Sequence, residues 1–280
     1  MKGSISGIGQ PLAASEGFET PARRCHRRWP TRVRARNQIR TVAVGALLLA
    51  VQACASVPGT GASCPAPPRD RAPVAATPLN IDLVKKQLIS YHKDKTYEAD
   101  IKSVYDVAEV YIDSRRDKVT RPAIVLDIDE TVLSNWETFE ANDFGFFADA
   151  ARCDIPSKEA CGFNVWTAQL KATALEPARD FFNRVKSKGV AIFFVTGRRD
   201  SQRAMTVTNL ESQGFYGWAE LITRPDVEHG SPQPFKTKAR ETIQARYTIV
   251  ANIGDQRSDL DGGRAAECAF KLPNPFYFIE

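Results

Sequence analysis

Asp127 and Asp129 stand two residues apart in Asp127-Ile128-Asp129-Glu130-Thr131, directly after the apolar run Ala123-Ile124-Val125-Leu126. Such a run, preceded by Pro122, predicts a buried strand that ends in two acidic residues. Carboxylates at i and i+2 past a strand end converge on one small volume and repel each other unless positive charge lies between them. A divalent cation resolves that repulsion, and one carboxylate is then free to attack an electrophile. Alone, the pair reads more readily as a glycosyltransferase-type metal motif or a surface loop. Three later segments change that weighting.

Those segments are Phe193-Phe194-Val195-Thr196-Gly197-Arg198, then Phe235-Lys236-Thr237-Lys238-Ala239-Arg240, then Ile253-Gly254-Asp255-Gln256-Arg257-Ser258-Asp259. The first and third follow apolar, β-branched stretches, Val190 to Val195 and Tyr247 to Ile253, which predict two more buried strands. Helical patterns lie between them. Glu176 to Lys188 sets Ala178, Phe181, Phe182 and Val185 on one face and stops at Gly189. Asp200 is placed to cap a second helix whose expected face is Ala204, Met205, Val207 and Leu210, ending near Gly214. Alternating strands and helices predict an α/β fold, a Rossmann-like parallel sheet with right-handed crossovers and helices on both faces. Loops at the carboxyl ends of such strands share one ligand site, so Asp127, Asp129, Thr196 and Asp255 are expected to meet.

A phosphate monoester suits that site. Asp127 is the candidate nucleophile, forming an aspartyl-phosphate. Asp129 is placed to protonate the leaving alcohol and then to deprotonate the hydrolytic water. Thr196 and Gly197 offer a hydroxyl and backbone N–H groups to phosphate oxygens. Lys236 adds a fixed positive charge, with Lys238 as the competing choice. Asp127, the backbone carbonyl of Asp129 and Asp255 form a hard oxygen set suited to Mg²⁺. Asp259 is a supporting residue that orients the metal shell or Lys236. Each motif alone has a plainer reading: a turn, a helix cap, or the exposed face of a helix.

The four segments, in this order, resemble the motifs of the haloacid dehalogenase-like phosphohydrolases. DIDETVLSNW (127 to 136), FKTKAR and NIGDQRSDL resemble more narrowly the class B/C-type acid phosphatases, which include bacterial lipoprotein acid phosphatases, plant acid phosphatases and the vegetative storage proteins. The likeness spans residues 80 to 280 and implies the same roles for Asp127, Asp129, Thr196, Lys236 and Asp255, with Mg²⁺ as cofactor. Phe235 and Thr237 depart from the expected Tyr and Ser, and Arg257 stands where plant members carry Trp. The implied function is an exported phosphomonoesterase acting on small phosphomonoesters, nucleoside monophosphates among the candidates. A phosphotransferase and a non-catalytic storage or binding protein are the alternatives.

The amino-terminal stretch differs in kind. Residues 1 to 40 hold nine Lys or Arg against Glu16 and Glu19, and Thr41 to Val51 is apolar but too short to span a bilayer. A basic region, a short apolar core and small residues make an export signal, here residues 1 to 55. Residues 1 to 53 account for nine of the 38 basic and two of the 33 acidic residues, leaving 29 against 31, a net of −2. The basic character is therefore an address and not a footprint for a nucleic-acid polymer. Val51-Gln52-Ala53-Cys54 resembles a lipoprotein processing site, which would attach the chain to a membrane through Cys54; cleavage after Ala55 is the rival. Periplasmic or outer-membrane-anchored placement in a bacterium follows. Residues 56 to 78, rich in Pro, Ala, Gly and Ser, read as a tether, and 79 to 280 as one catalytic domain.

Within that domain, residues 79 to 117 and 135 to 175 are expected to form a small, mainly helical lid. Leu83, Val84, Leu88 and Tyr91 mark one helix face; Ile101, Val104, Tyr105, Ala108 and Tyr111 mark another. Seven aromatics lie in the second stretch: Trp136, Phe139, Phe144, Phe146, Phe147, Phe163 and Trp166. One or two of them are expected to touch substrate, with Trp136 first because it adjoins the first motif. Cys153 and Cys161 have the spacing for a loop-closing disulfide, with two reduced thiols as the alternative; Cys64 and Cys268 are left to pair or not. The three scattered His give no zinc cluster and no histidine-phosphatase pattern.

Overall fold

The computed structural model describes residues 78–147, 162–263 and 266–279 of the 280-residue chain. The export signal, nearly all of the tether, Cys54, Cys64, Cys153 and Cys161 lie outside those residues. Strands β1 (Pro122–Leu126), β4 (Ala191–Arg199), β5 (Glu220–Arg224), β6 (Thr248–Gly254) and β7 (Ala266–Lys271) form one sheet in the order β5-β4-β1-β6-β7, and every pair is parallel. The three strands expected from apolar runs are its central three. β1 sits in the middle, so Asp127 leaves the sheet with a neighbouring strand on each side.

Alternation along β1 assigns the two faces. Ile124 and Leu126 pack with Ile101, Ile112, Phe181 and Phe182, from helices α2 (Thr96–Arg115) and α5 (Glu176–Ser187). Ala123 and Val125 pack on the opposite side with Ala239 and Ile243 of helix α7 (Gln233–Gln244). The same period of two places Ile192 and Phe194 of β4 with the first layer, and Phe193 and Val195 with the second. Each face therefore has its helices, as a parallel sheet requires.

Helix α5 follows the sequence reading: it starts at Glu176, and Gly189 follows its end at φ +75. Helix α6 (Arg203–Ser212) does not. Asp200 makes no capping bond; it opens a 3₁₀ turn, and its carboxylate accepts from Thr223 Oγ1 at 2.5 Å. The buried stripe of α6 is Thr206, Asn209 and Leu210, while Ala204 is exposed. Asn209 Nδ2 donates to the Ala172 carbonyl at 2.8 Å, so polar residues on this face have partners that apolar periodicity cannot register.

The expected lid divides. α2 is no lid: its stripe Ile101, Val104, Tyr105, Ala108 and Ile112 is buried against the sheet and α5. α1 (Ile81–Lys93) has no buried residue, and Leu83, expected on an inner face, is exposed. Leu88 and Tyr91 of the expected face, with Ile89, pack half-buried on the core, and His92 adds a ring stack at 3.8 Å on Trp136 of α3 (Trp136–Ala141). The second stretch also holds α4 (Phe163–Gln169) and β3 (Thr173–Ala174), which pairs antiparallel with β2 (Leu133–Ser134) just before it in a two-stranded ribbon that the helical expectation overlooked. Two-residue strands carry too little pattern to be read. Among the described residues, no helix is long and apolar enough to cross a membrane.

Tyr105 joins α2 to the first motif, its hydroxyl donating to the Thr131 carbonyl at 2.8 Å inside the core. Tyr105→Phe is expected to cost about 1–2 kcal/mol, the price of one buried hydrogen bond, in urea unfolding. An unchanged midpoint would mean that α2 opens independently of the sheet.

Candidate active site

Asp127 continues the alternation of Ala123 and Val125, so its side chain emerges on the α7 side of the sheet; its N–H extends the ladder to Ile253 O at 3.1 Å. On α7, Lys236 shares the inward stripe with Ala239, Arg240 and Ile243. Lys236 Nζ therefore meets Asp127 Oδ1 at 2.6 Å and Asp259 Oδ1 at 2.5 Å, with all three side chains buried. Lys238 lies on the outer face of α7 and is exposed, so of the two lysines it is Lys236 that stands beside Asp127. Burial alone would lower the Lys236 pKa; Asp127 and Asp259 together hold it above its ordinary value.

The carboxylates of Asp127, Asp255 and Asp259 lie with one oxygen each within 4.8 Å of one another. Their remaining atoms are committed in a definite way. Asp259 Oδ1 accepts from Lys236, and its Oδ2 from the backbone N–H of Gln256 at 2.8 Å. Asp255 Oδ2 accepts from Gln256 Nε2 and Asn274 Nδ2, both at 2.6 Å. Among the described residues, Asp255 Oδ1 has only the Thr131 hydroxyl, at 3.4 Å. Asp127 and Asp255 thus retain oxygens for a cation, while Asp259 is occupied in orienting Lys236. Three carboxylates against one lysine leave net negative charge in a dry site, and the donors are all hard oxygens, so the residues fit a hard divalent ion. Burial pushes Asp127 well above the usual carboxylate range despite Lys236, and pushes Asp255 up to about 6 with help from the charge on Asp259.

The loop after β6 is held from behind. Arg240 is buried and donates to the carbonyls of Asp259, Asp261 (2.7 Å) and Gly262 (3.0 Å); Asn252 Nδ2 adds a bond to Asp259 O at 2.8 Å. Gly254 is sterically required there: a Cβ would fall 2.5 Å from both Cβ and Oδ2 of Asp259.

Asp129 points elsewhere. Arg198 Nη2 donates to its Oδ1 at 2.7 Å and Arg198 Nε to its Oδ2 at 3.1 Å, while Asn135 Nδ2 reaches Oδ1 at 2.9 Å. Its carboxylate is outside the trio, so only its backbone carbonyl remains for the metal role expected of it. Arg198 is buried, and the charges of Asp129 and Asp127 outweigh desolvation to raise its pKa. The Arg198 N–H donates to Thr196 Oγ1 at 3.1 Å; Thr196 is fully buried and Gly197 exposed. A Cβ on Gly197 would meet only Pro232, at 4.0 Å, so the backbone there is open to close approach.

Trp136 does not line this opening. It is buried, stacked on His92 and edge-on to Phe144 and Phe276, because α1 and the C-terminal segment cover it. Phe163 lies nearer the chemistry, with Arg198 Cζ 6.0 Å from its ring centroid and exposed Phe146 6.0 Å beyond. Sequence reasoning missed Arg198, Asn135, Arg240, Gln256 and Asn274. Only Arg198 left a signal: several acids expected at one sheet edge call for more than one cation.

The family model for the HAD superfamily, subfamily IIIB (acid phosphatase), matches residues 70–280. Acid phosphatase 1 of Solanum lycopersicum is 32% identical over 205 residues, covering 71% of this chain and 74% of the relative. Vegetative storage protein 2 of Arabidopsis thaliana is 27% identical over 203 residues, 71% of each chain. The solved class C acid phosphatase of Bacillus anthracis matches with a TM-score of 0.57 and 26% identity, over 70% of this chain and 86% of that one.

Gly254→Ala is expected to destabilise the protein by about 1–3 kcal/mol and to weaken Mn²⁺ binding measured by calorimetry, because Asp259 must move. A neutral result would contradict the close approach. A second outcome concerns pH. Asp255 binds its proton more tightly when folded, so its stabilising contribution is complete below about pH 4 and lost as pH rises through about 6; Asp127 acts in the same direction. Melting curves in EDTA from pH 4 to 8 should show that loss, and Mg²⁺ should recover it at the upper end.

Proposed function

The chain belongs to subfamily IIIB of the HAD superfamily, the acid phosphatases, and is a phosphomonoesterase; we propose that it works outside the cytoplasm, with Mg²⁺, through an aspartyl-phosphate on Asp127. The carrying observation is Asp127 at the centre of the sheet edge with Lys236 on one oxygen and Asp255 and Asp259 beside it. Asp127 attacks phosphorus, the P–O bond to the alcohol breaks, and Asp129 gives that oxygen its proton. Asp129 then takes a proton from water, which attacks the acyl phosphate and frees inorganic phosphate. Lys236 is held by Asp127 and Asp259 where negative charge develops, so it needs no reorganisation during the reaction. Thr196 and Gly197 present a hydroxyl and open backbone to phosphate oxygens. Bound Mg²⁺, held by Asp127, Asp255 and the carbonyl of Asp129, would supply charge neutralisation that lets an anionic carboxylate approach an anionic ester.

Phe163 and Phe146, beside Arg198, support an aromatic leaving group or a nucleoside monophosphate as substrate. The basic and apolar residues before Cys54 support export, with a lipid anchor at Cys54 and a loop disulfide between Cys153 and Cys161 as further parts of the reading. Kinship with vegetative storage proteins keeps a non-catalytic role as the second reading; the complete acidic set argues against it.

Phosphate release from aryl phosphates and nucleoside monophosphates should require Mg²⁺, stop in EDTA, and fall on the order of a thousandfold or more in Asp127→Asn. Retained turnover in that variant would refute the nucleophile. Transfer of phosphate to added alcohols in preference to water would identify a phosphotransferase.

A further inference from the structure

Asn135 is fully buried where three polar side chains meet. Its backbone N–H donates to Glu130 Oε1 at 2.6 Å, and its Nδ2 donates to Glu130 Oε2 at 3.0 Å and to Asp129 Oδ1 at 2.9 Å. Its Oδ1 accepts from Trp166 Nε1 at 2.9 Å. An indole nitrogen only donates, and a carboxylate ion-paired to a guanidinium, as Asp129 is to Arg198, accepts. The amide is thereby fixed one way round; turned over, it would set its oxygen against the Asp129 carboxylate and its NH₂ against the Trp166 N–H. Trp166 cannot swing aside, because its ring is 1% exposed within the core.

Glu130 completes the lock. It is wholly buried in the left-handed region at φ 52, a conformation that a non-glycine residue adopts only when its surroundings hold it there. Both of its oxygens are spent on Asn135, so this buried carboxylate serves the Asn135 loop and not the substrate.

We propose that Asn135, locked by Trp166, is a positioning residue for Asp129 that selects Oδ2 as the oxygen carrying the transferred proton. Asp129 Oδ1 accepts from Arg198 Nη2 at 2.7 Å, from Asn135 Nδ2 at 2.9 Å and, more weakly, from Arg198 Nε at 3.2 Å. Among the described residues, Oδ2 has a single partner, Arg198 Nε at 3.1 Å. Arg198 alone could hold the carboxylate with either oxygen inward. Asn135 breaks that symmetry, leaves Oδ2 with acceptor capacity, and fixes its direction to within the tolerance that proton transfer needs. The Trp166 N–H thus acts on the chemistry from α4 without touching substrate.

The inference rests on Asp129 being the proton donor to the leaving oxygen, and the test separates the two. A 4-nitrophenolate leaves without a proton, whereas a simple alkoxide does not. kcat/KM, which reports the first chemical step, is measured for 4-nitrophenyl phosphate and for an alkyl phosphate in wild type, Trp166→Phe, Asn135→Ala and Asp129→Asn. Trp166→Phe keeps the ring and removes the N–H. It should lose about tenfold on the alkyl ester and less than about twofold on the aryl ester, with Asn135→Ala showing the same contrast more strongly. Equal losses on both esters, or none, in a Trp166→Phe protein with a normal melting curve would overturn the positioning role. Asp129→Asn showing the contrast while Trp166→Phe does not would overturn it and leave the proton donor standing. Asp129→Asn without the contrast would overturn both.

Discussion

The ion pair of Lys236 with Asp127 and Asp259 is the constraint around which the rest of the site is arranged. Asp127, Asp255 and Asp259 are all buried, and buried carboxylates repel one another and lose hydration. One lysine cannot balance them. The protein offsets the remainder with neutral donors, Gln256 and Asn274 on Asp255 and the Gln256 N–H on Asp259, and with the Arg240 guanidinium on the carbonyls of the same loop. The excess negative charge left over is what a cation-dependent site requires. A fully neutralised trio would gain little from a metal.

That arrangement explains why the C-terminal segment packs where it does. Asn274 reaches Asp255, its Oδ1 accepts from Phe276 N–H at 2.8 Å, and Leu272 N–H bonds Gly254 O at 2.9 Å. Phe276 then lies edge-on to Tyr97 and Trp136, and Tyr277 packs on Phe139. A charged site and an aromatic cluster thus share one segment of chain. Burial of Trp136 follows from that sharing, and it is why the tryptophan beside the first motif is unavailable to a ligand.

The sheet was readable because central parallel strands are nearly continuous apolar runs, and the acids at their ends could be placed once the fold class was settled. α5 was readable from its apolar face and terminal glycine. α6 was not, because its buried stripe is polar: Thr206 Oγ1 accepts from Arg198 at 3.4 Å and Asn209 Nδ2 donates to the Ala172 carbonyl, contacts that apolar periodicity does not register. The same limit hid Asn135, Gln256 and Asn274, uncharged amides whose importance depends on which carboxylate they meet. Lys236 stood out by its motif position, and helix phase, set by the Ala239 and Ile243 stripe, is what brings it rather than Lys238 beside Asp127. The ribbon of β2 and β3 was too short to carry any period.

Asp127 and Asp129 are chemically identical and only two residues apart, yet the fold gives them different surroundings. Asp127 is committed by strand parity to the α7 side, where Lys236 meets it. Asp129 lies past the end of the ladder, and its carboxylate is taken by Arg198 from the end of β4 and by Asn135 from the loop before α3. Its side chain is 14% exposed, against 6% for Asp127. Each acid thus has its own cation, and only the second keeps an edge toward solvent. Under the proposed mechanism, that division suits Asp127 to attack beside a fixed positive charge and Asp129 to exchange protons. It is produced by secondary-structure geometry: one residue still obeys the strand's alternation, and the other, two positions later, has escaped it.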